Sequence, residues 1–438
     1  MNGSPRSDAA GGGIPHRAAV EDANSSLASY QDRINKAIEK AQRASWQAFQ
    51  ALHEIDPFDL DKQYGAENAQ KDAERVAKMM GIDPKKIPDG DDPKVNAAWW
   101  ESVSEDERRI YLAAYPDQIG SLDGVPSDIR DRANRTVLEA KYNDLAMRAE
   151  NGSLGIRDQA TYNSLSKLKD RLDKGDTAPA EKRLYLLGLD PEARDGRAII
   201  AMGNPDQAAH TAILVPGTGT DLSNMTGQID RLDRTHDAAS ERARGEGVSV
   251  ISWLGYDAPE VDGSVTTTGR AEDGASDLRH FTEGTRVAHG NGDSHLTVIG
   301  HSYGSTMVGT AAGEGKGLGA DDIISLGSPG MNVGTAKDLQ IDPQHFWAGA
   351  SQQDPIVRHT SGLTLGPNPA SEEFGGQPMA VNDGGHSSYW DPEQESLNNQ
   401  ARVIAGRPAR LGRHYEAGPS DPPVNPVAPD GSNPLVIG

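Results

Sequence analysis

The chain has 438 residues, of which 35% are apolar and 5% aromatic, and its formal net charge is −22. Length alone suggests about three units, yet 6 Trp, 11 Tyr and 5 Phe supply aromatic mass for one good core. One sizeable folded domain, a helical companion and polar tails are therefore expected. So acidic a surface repels a phosphate backbone and an anionic bilayer face, which argues against a nucleic-acid partner. The absence of cysteine excludes disulfides, thiolate nucleophiles and Cys-ligated metal centres.

Taken in chain order, residues 1–22 are rich in Gly, Ser, Pro and Ala without periodicity and read as a disordered tail. They lack the apolar core of a signal peptide, and no stretch reaches the ~20 apolar residues of a membrane span. A cytoplasmic protein is expected, or one exported by a route without a cleavable signal peptide. Residues 23–180 read as an all-helical region. Leu27, Ile34, Ile38, Trp46, Phe49 and Leu52 mostly recur at helical spacing up to Pro57. Ser104 with Glu107 three residues on is a capping box, and that helix ends at Tyr115-Pro116. Further helices are expected over 128–149 and 157–172.

From about Leu184 the texture changes. The runs LYLLGL, RAIIAM, TAILVPG, VSVISWL, HLTVIG, DIISLG and HFWAGA alternate with amphipathic stretches near 222–245, 271–288 and 303–312. Short strands separated by helical crossovers predict an α/β domain over 184–405, with a mostly parallel sheet flanked by helices. Chemistry in such sheets collects at the carboxyl ends of the strands. The proline-rich stretch 406–438 reads as a second disordered tail.

The strand HLTVIG runs into Gly300-His301-Ser302-Tyr303-Gly304 and then a small-residue helix start. This is G-x-S-x-G in the strand–turn–helix setting of a nucleophile elbow. The turn strains the serine backbone, and the glycines remove Cβ atoms that would collide with neighbouring elements. The competing reading is a glycine-rich turn in a nucleotide-binding sheet, but no GxGxxG or G-x-x-x-x-G-K-[ST] accompanies it. An elbow serine needs a base and an orienting acid further along the chain. Of His345, His359, His386 and His414, His386 sits on the glycine-rich loop Asn382-Asp383-Gly384-Gly385-His386-Ser387-Ser388-Tyr389-Trp390, from which an imidazole could reach Ser302. Asp354, just past HFWAGA and followed by Pro355, is the candidate acid; Asp383 is its rival, and Asp354-Pro355 could instead be only a turn. After TAILV, the segment Pro216-Gly217-Thr218-Gly219-Thr220 suits an oxyanion loop, with backbone amides of Thr218 and Tyr303 as donors. No cofactor and no metal are called for, since neither H-E-x-x-H nor a trusted ligand spacing is present.

These residues resemble the α/β-hydrolase superfamily. More narrowly, they are similar to an actinobacterial group of uncharacterised α/β hydrolases with a helical amino-terminal region. That likeness rests on Trp99 to Ser104, Pro116 to Pro126, Arg130 to Arg135, VPGTGTDL, SWLGYDAP, GHSYGS and GHSSYW, spanning about residues 97–392. It implies the α/β-hydrolase fold and a Ser302–Asp354–His386 triad, and that Trp99–Arg135 packs on the catalytic domain. The expected activity is hydrolysis of a small-molecule or lipid-like carboxylic ester through an acyl-enzyme. Rival readings are a thioesterase or peptidase, or a non-catalytic binding or secretion-associated protein. In the last case the helical region would hold a protein partner.

Overall fold

The computed structural model describes residues 66–290, 294–360 and 364–416. The expected tail over 1–22, the helix over 22–52 and residues 417–438 lie outside the described residues. Two compact units divide the chain, and among described residues Asp72–Ile82 form part of one while the other contains everything from Asp83 onward. The first unit carries most of helix α1 (Ala66–Met79).

In the second unit the helical region comprises α2 (Pro93–Ser102), α3 (Glu105–Ala114), α4 (Pro116–Ser121), α5 (Ser127–Glu150) and α6 (Ile156–Asp176). Local chemistry sets their ends. Asp92 caps α2 by accepting from the Lys94 amide at 2.9 Å, with Pro93 in the first turn where its missing N–H costs nothing. Ser104 and Glu107 form the expected capping box on α3. Pro116 then opens α4 as well as ending the segment before it.

Eight strands follow in one sheet, β1 (Leu184–Asp190), β2 (Arg197–Met202), β3 (His210–Val215), β4 (Val248–Leu254), β5 (His295–His301), β6 (Asp322–Leu326), β7 (Phe346–Gly349) and β8 (Gln377–Pro378). Their spatial order is β1-β2-β4-β3-β5-β6-β7-β8. The two pairings that involve β2 are antiparallel and the remainder parallel. Continuous burial along β3, β4 and β6 explains their unbroken apolar runs, because helices cover both faces. The helices of this part are α7 (Met225–Ala243), α8 (Gly269–Ala288), α9 (Tyr303–Gly313), α10 (Pro355–Thr360) and α11 (Glu395–Ile404). α7 packs on α11, and α8 on α9. Among the described residues no helix is long and apolar enough to cross a membrane.

The ordered chain does not stop at the boundary expected near 405. Residues 406–416 run back beside β8, where Arg410 O accepts from the Ala380 amide and the Gly412 amide donates to Pro378 O, both at 2.9 Å. Main-chain pairing holds this segment despite its Pro and Gly content, since a proline keeps its carbonyl as an acceptor.

The helical region is fastened to the sheet through buried polar groups on α5. Asp131, 1% exposed, accepts from the Leu186 amide at 2.8 Å, from Arg135 at 2.7 Å and from Arg183 at 3.2 Å. Asn134 donates to the carbonyls of Gly120 and Leu186. Gly120 is required here, because a Cβ would fall 2.3 Å from the Asn134 Oδ1. The block Trp99–Arg135 therefore contacts β1, and at Asp123–Gly124 it meets α8 so closely that a Cβ on Gly284 would lie 2.7 Å from Asp123. Replacing Asp131 by Ala should cost about 3 kcal/mol, because it leaves a β1 amide unpaired and two guanidinium groups without their buried carboxylate. Urea unfolding checks this; an unchanged midpoint would mean that α5 is not anchored through Asp131.

At the amino end of the sheet, Asp322 accepts from His295 Nε2 at 2.9 Å, His345 Nδ1 at 3.1 Å and Trp347 Nε1 at 2.8 Å. His295 Nδ1 faces Ile404 O at 3.2 Å. Both ring nitrogens thus meet acceptors, which only the imidazolium satisfies. Burial pulls its pKa down, but the Asp322 hydrogen bond and charge outweigh that and leave it raised. A raised folded pKa means stabilisation that is complete below the unfolded value of about 6.5 and lost as pH rises through the folded value. Unfolding midpoints should therefore fall more steeply in the wild type than in His295→Gln as pH rises above about 6.5. Parallel pH curves for the two would contradict the assignment.

Candidate active site

Ser302 lies between β5 and α9 with φ 55° and ψ −132°, a conformation that costs a residue with a Cβ of order 1–3 kcal/mol. Its surroundings hold it there. The Ser302 amide donates to Leu326 O at 3.0 Å, and Ser302 O accepts from the Ser305 amide at 2.9 Å and the Ser305 hydroxyl at 2.5 Å. The elbow glycines permit the approach: a Cβ at Gly300 would lie 2.5 Å from Ser305 Cα, and one at Gly304 would lie 2.1 Å from Val215 O.

The loop after β3 abuts this turn. A Cβ on Gly217 would sit 2.8 Å from Ser302 Cβ and 2.9 Å from the Tyr303 nitrogen. As the first residue of α9, Tyr303 has no carbonyl one turn back for its N–H, which leaves that donor free for an anion. Thr218 follows Gly217, and its hydroxyl is buried with no partner among the described residues.

Segment 255–268, beyond β4, walls one side of the loop and elbow. Tyr256 donates to Pro216 O at 2.7 Å, the Gly219 amide to Pro259 O at 2.9 Å, and Tyr303 Oη to Thr267 O at 2.6 Å. Burial pushes the Tyr303 hydroxyl up to about 12, so it stays a donor at neutral pH. Segment 328–342 instead packs its Met331, Ala336 and Leu339 into the core.

Asp354, wholly buried, stands just past β7 at the head of α10. Both its oxygens lie 3.0 Å from His386 Nδ1. It also accepts from Tyr389 Oη at 2.7 Å and from the Ile356 amide at 2.9 Å. A fully buried carboxylate needs this many donors. Asp383 is exposed on the histidine loop and makes no bond to His386. That loop is pinned by Ser351, whose hydroxyl donates to Gly384 O at 2.7 Å and accepts from the Gly384 amide at 3.1 Å.

His386 lies beside the elbow because its ring stands 4.6 Å from that of His301, the neighbour of Ser302. No hydrogen bond yet joins Ser302 to His386; such bonds often tighten only when substrate binds. His301 Nε2 donates to the His386 carbonyl at 2.8 Å, and its ring meets Trp390 edge-on at 4.8 Å. Burial, then the positive character of His386 and Arg231, push its pKa well below the usual value, so it is neutral.

Of the residues singled out in the sequence, Asp354 and His386 are bonded, while Thr218, Ser302 and Tyr303 share one turn-and-loop contact. Sequence reasoning passed over Ser351, His301, Tyr389 and Gly327. Gly327, φ 55°, lies directly under the pair: a Cβ there would fall 2.6 Å from Asp354 Oδ2 and 3.2 Å from His386 Nδ1. The available signal was its place at the end of DIISLG, next to the elbow strand. Among the described residues no cluster of His, Asp or Glu could hold a metal ion.

A family model described as alpha/beta hydrolase matches residues 190–364. The uncharacterised protein Rv2079 of Mycobacterium tuberculosis is 31% identical over 361 residues, covering 70% of this chain and 55% of that one. The uncharacterised protein Mb0988c of Mycobacterium bovis is 31% identical over 213 residues, covering 45% of this chain and 77% of its own length. The chain thus spans about half the length of the first of these relatives. Among solved structures, esterase LipW from Mycobacterium marinum matches with TM-score 0.33 and 11% identity, over 62% of this chain and 94% of that one. So slight a structural likeness says nothing of substrate. By the sequence matches and its mostly parallel, helix-flanked sheet, the chain belongs to the α/β-hydrolase family, in a group with actinobacterial members.

Proposed function

We propose that the protein is a serine hydrolase that cleaves a carboxylic ester through a Ser302–Asp354–His386 triad and an acyl-enzyme. The observation that carries this reading is the fully buried Asp354 bonded to His386 Nδ1, beside a serine held at positive φ. Asp354 fixes the proton on Nδ1, leaving Nε2 as the base.

Ser302 Oγ attacks the acyl carbonyl as His386 takes its proton. The carbonyl oxygen becomes an oxyanion held by the amides of Thr218 and Tyr303. His386 then hands the proton to the leaving alkoxide, so an alcohol departs and the acyl group stays on Ser302. Water, deprotonated by His386, attacks the acyl-enzyme and releases the carboxylic acid with Ser302 restored. The ester, rather than a thioester or amide, is supported by the frequency of that chemistry on this fold. The polar wall over 262–268, rich in Ser and Thr, supports a small or polar acyl group over a long chain.

Fluorophosphonate labelling with peptide mapping tests the nucleophile. Label should appear on Ser302, vanish in Ser302→Ala and slow by about 10⁴ in His386→Ala and Asp354→Asn, and ester turnover should fall in parallel. Folded wild type that neither takes label nor hydrolyses short-chain esters would overturn the proposal. A second variant probes the geometry beneath the pair. Gly327→Ala adds one methyl against Asp354 and His386 at a left-handed position, so labelling should slow on the order of 10²-fold through misplacement of the base. Labelling at the wild-type rate would show that the imidazole need not sit where it does.

A further inference from the structure

Building on that reading, we propose that Tyr389 is a positioning residue for catalysis, the outer member of a Tyr389–Asp354–His386 hydrogen-bonded chain that sets the basicity of the imidazole.

The hydroxyl of Tyr389 has only one place to send its proton. Its oxygen accepts from the Ser351 amide at 3.1 Å and stands 2.7 Å from Asp354 Oδ2. With its acceptor side engaged by an N–H and a carboxylate facing it, the O–H must donate to Asp354. Burial first, and then the Asp354 charge, push the Tyr389 hydroxyl far above its ordinary value, so it stays protonated through the working range. Solvent offers no alternative acceptor, because Tyr389 is 0% exposed.

The bond acts on the base through Asp354. The two carboxylate oxygens are equidistant from His386 Nδ1, and each also accepts from a second group, Tyr389 on Oδ2 and the Ile356 amide on Oδ1. This balance fixes the carboxylate's rotation about its stem, and hence the plane of the imidazole. A neutral donor also draws off part of the carboxylate's negative charge. A carboxylate that lost it would hold the protonated imidazole more tightly, and the base would be freed only at higher pH.

Tyr389 also sits three residues from His386, at the end of the loop that Ser351 ties down. One residue, Ser351, therefore touches both devices with different groups: its hydroxyl holds the loop backbone, and its amide orients the tyrosine. That separation gives the control. Ser351→Ala removes the hydroxyl's grip on Gly384 and keeps the amide, so it loosens the loop and leaves the hydrogen-bonded chain intact.

The test compares Tyr389→Phe, Ser351→Ala and wild type by the pH dependence of kcat/KM on a short-chain ester, together with the downfield imidazole N–H proton resonance assigned to His386 by its loss in His386→Ala. Tyr389→Phe should lower kcat/KM roughly ten- to hundredfold. It should also move the acid limb to higher pH and shift the downfield proton. Ser351→Ala should lower the rate without moving the limb. A rate loss in Tyr389→Phe with the limb and the resonance unmoved would reduce the tyrosine to packing and overturn the proposal. Should Tyr389→Phe not fold, site-specific 3-fluorotyrosine at 389 keeps the shape and makes a stronger donor. It should move the limb and the resonance the opposite way, and no movement overturns the proposal equally. A protein inert toward every ester removes the proposed activity alone, because the resonance still reads the Tyr389–Asp354–His386 chain.

Discussion

The backbone strain at Ser302 is the constraint around which the sheet is arranged. A positive φ at a serine persists only where the surroundings over-determine it. Here three elements converge on one residue. β6 takes its amide through Leu326 O, α9 takes its carbonyl through Ser305, and the β3 loop presses Gly217 against its Cβ. Ser305 is itself fixed by a 2.6 Å bond to Ser328, so the segment after β6 braces the turn as well. The glycines at 217, 300 and 304 follow from that crowding. Each stands where a single Cβ would enter another backbone, so none could be traded for alanine without moving a strand or helix.

The other half of the site hangs on different strands and is fixed by different means. Asp354 is rigid because it is buried and fully bonded, whereas His386 comes from a loop of glycines and small polar residues that has no regular structure of its own. Ser351, His301 and Asp354 replace that missing structure with three separate attachments: to Gly384, to the His386 carbonyl and to the ring. A histidine held by its backbone and by one nitrogen keeps the other nitrogen free. That is the arrangement the proposed general base requires.

How much of this could be read in advance depended on the range of the interactions. The parallel strands announce themselves through runs such as TAILV and VSVISWL, because burial on both faces removes polar alternation. β8 does not: with two residues, one of them Pro378, it has no hydrophobic pattern, and pairing with Trp347 and Ala348 defines it. The helix α2 does not either: its weak amphipathic pattern hides it between polar stretches, and the Asp92 cap that starts it is seen only in the fold. The elbow could be found because strand, turn and helix adjoin in the chain. Asp354 and His386 could be ranked by chain order and by position past a strand. Tyr389 could not, since what marks it is contact across 35 positions with Asp354, and Gly327 offered only its place at the end of DIISLG, its contact with Asp354 lying 27 positions away. The course of residues 406–416 beside β8 was hidden for the same reason, as composition carries no record of the Ala380–Arg410 pairing.

The two ends of β5 show how environment assigns chemistry to one residue type. His295 opens the strand and His301 closes it. At the amino end, Asp322 and a helix-terminal carbonyl flank the ring and favour the imidazolium. At the carboxyl end, burial and the neighbouring His386 keep the ring neutral, with its one N–H given to a carbonyl. The difference matters for the proposed mechanism. A charged His301 would stand 4.6 Å from the imidazolium that His386 becomes during acyl transfer. At an effective dielectric constant of about 20, that repulsion is roughly 3–4 kcal/mol, or two to three orders of magnitude in rate. With His301 neutral, Asp354 is the charge bonded to the proposed base, and its sign is the one that would stabilise proton transfer from Ser302.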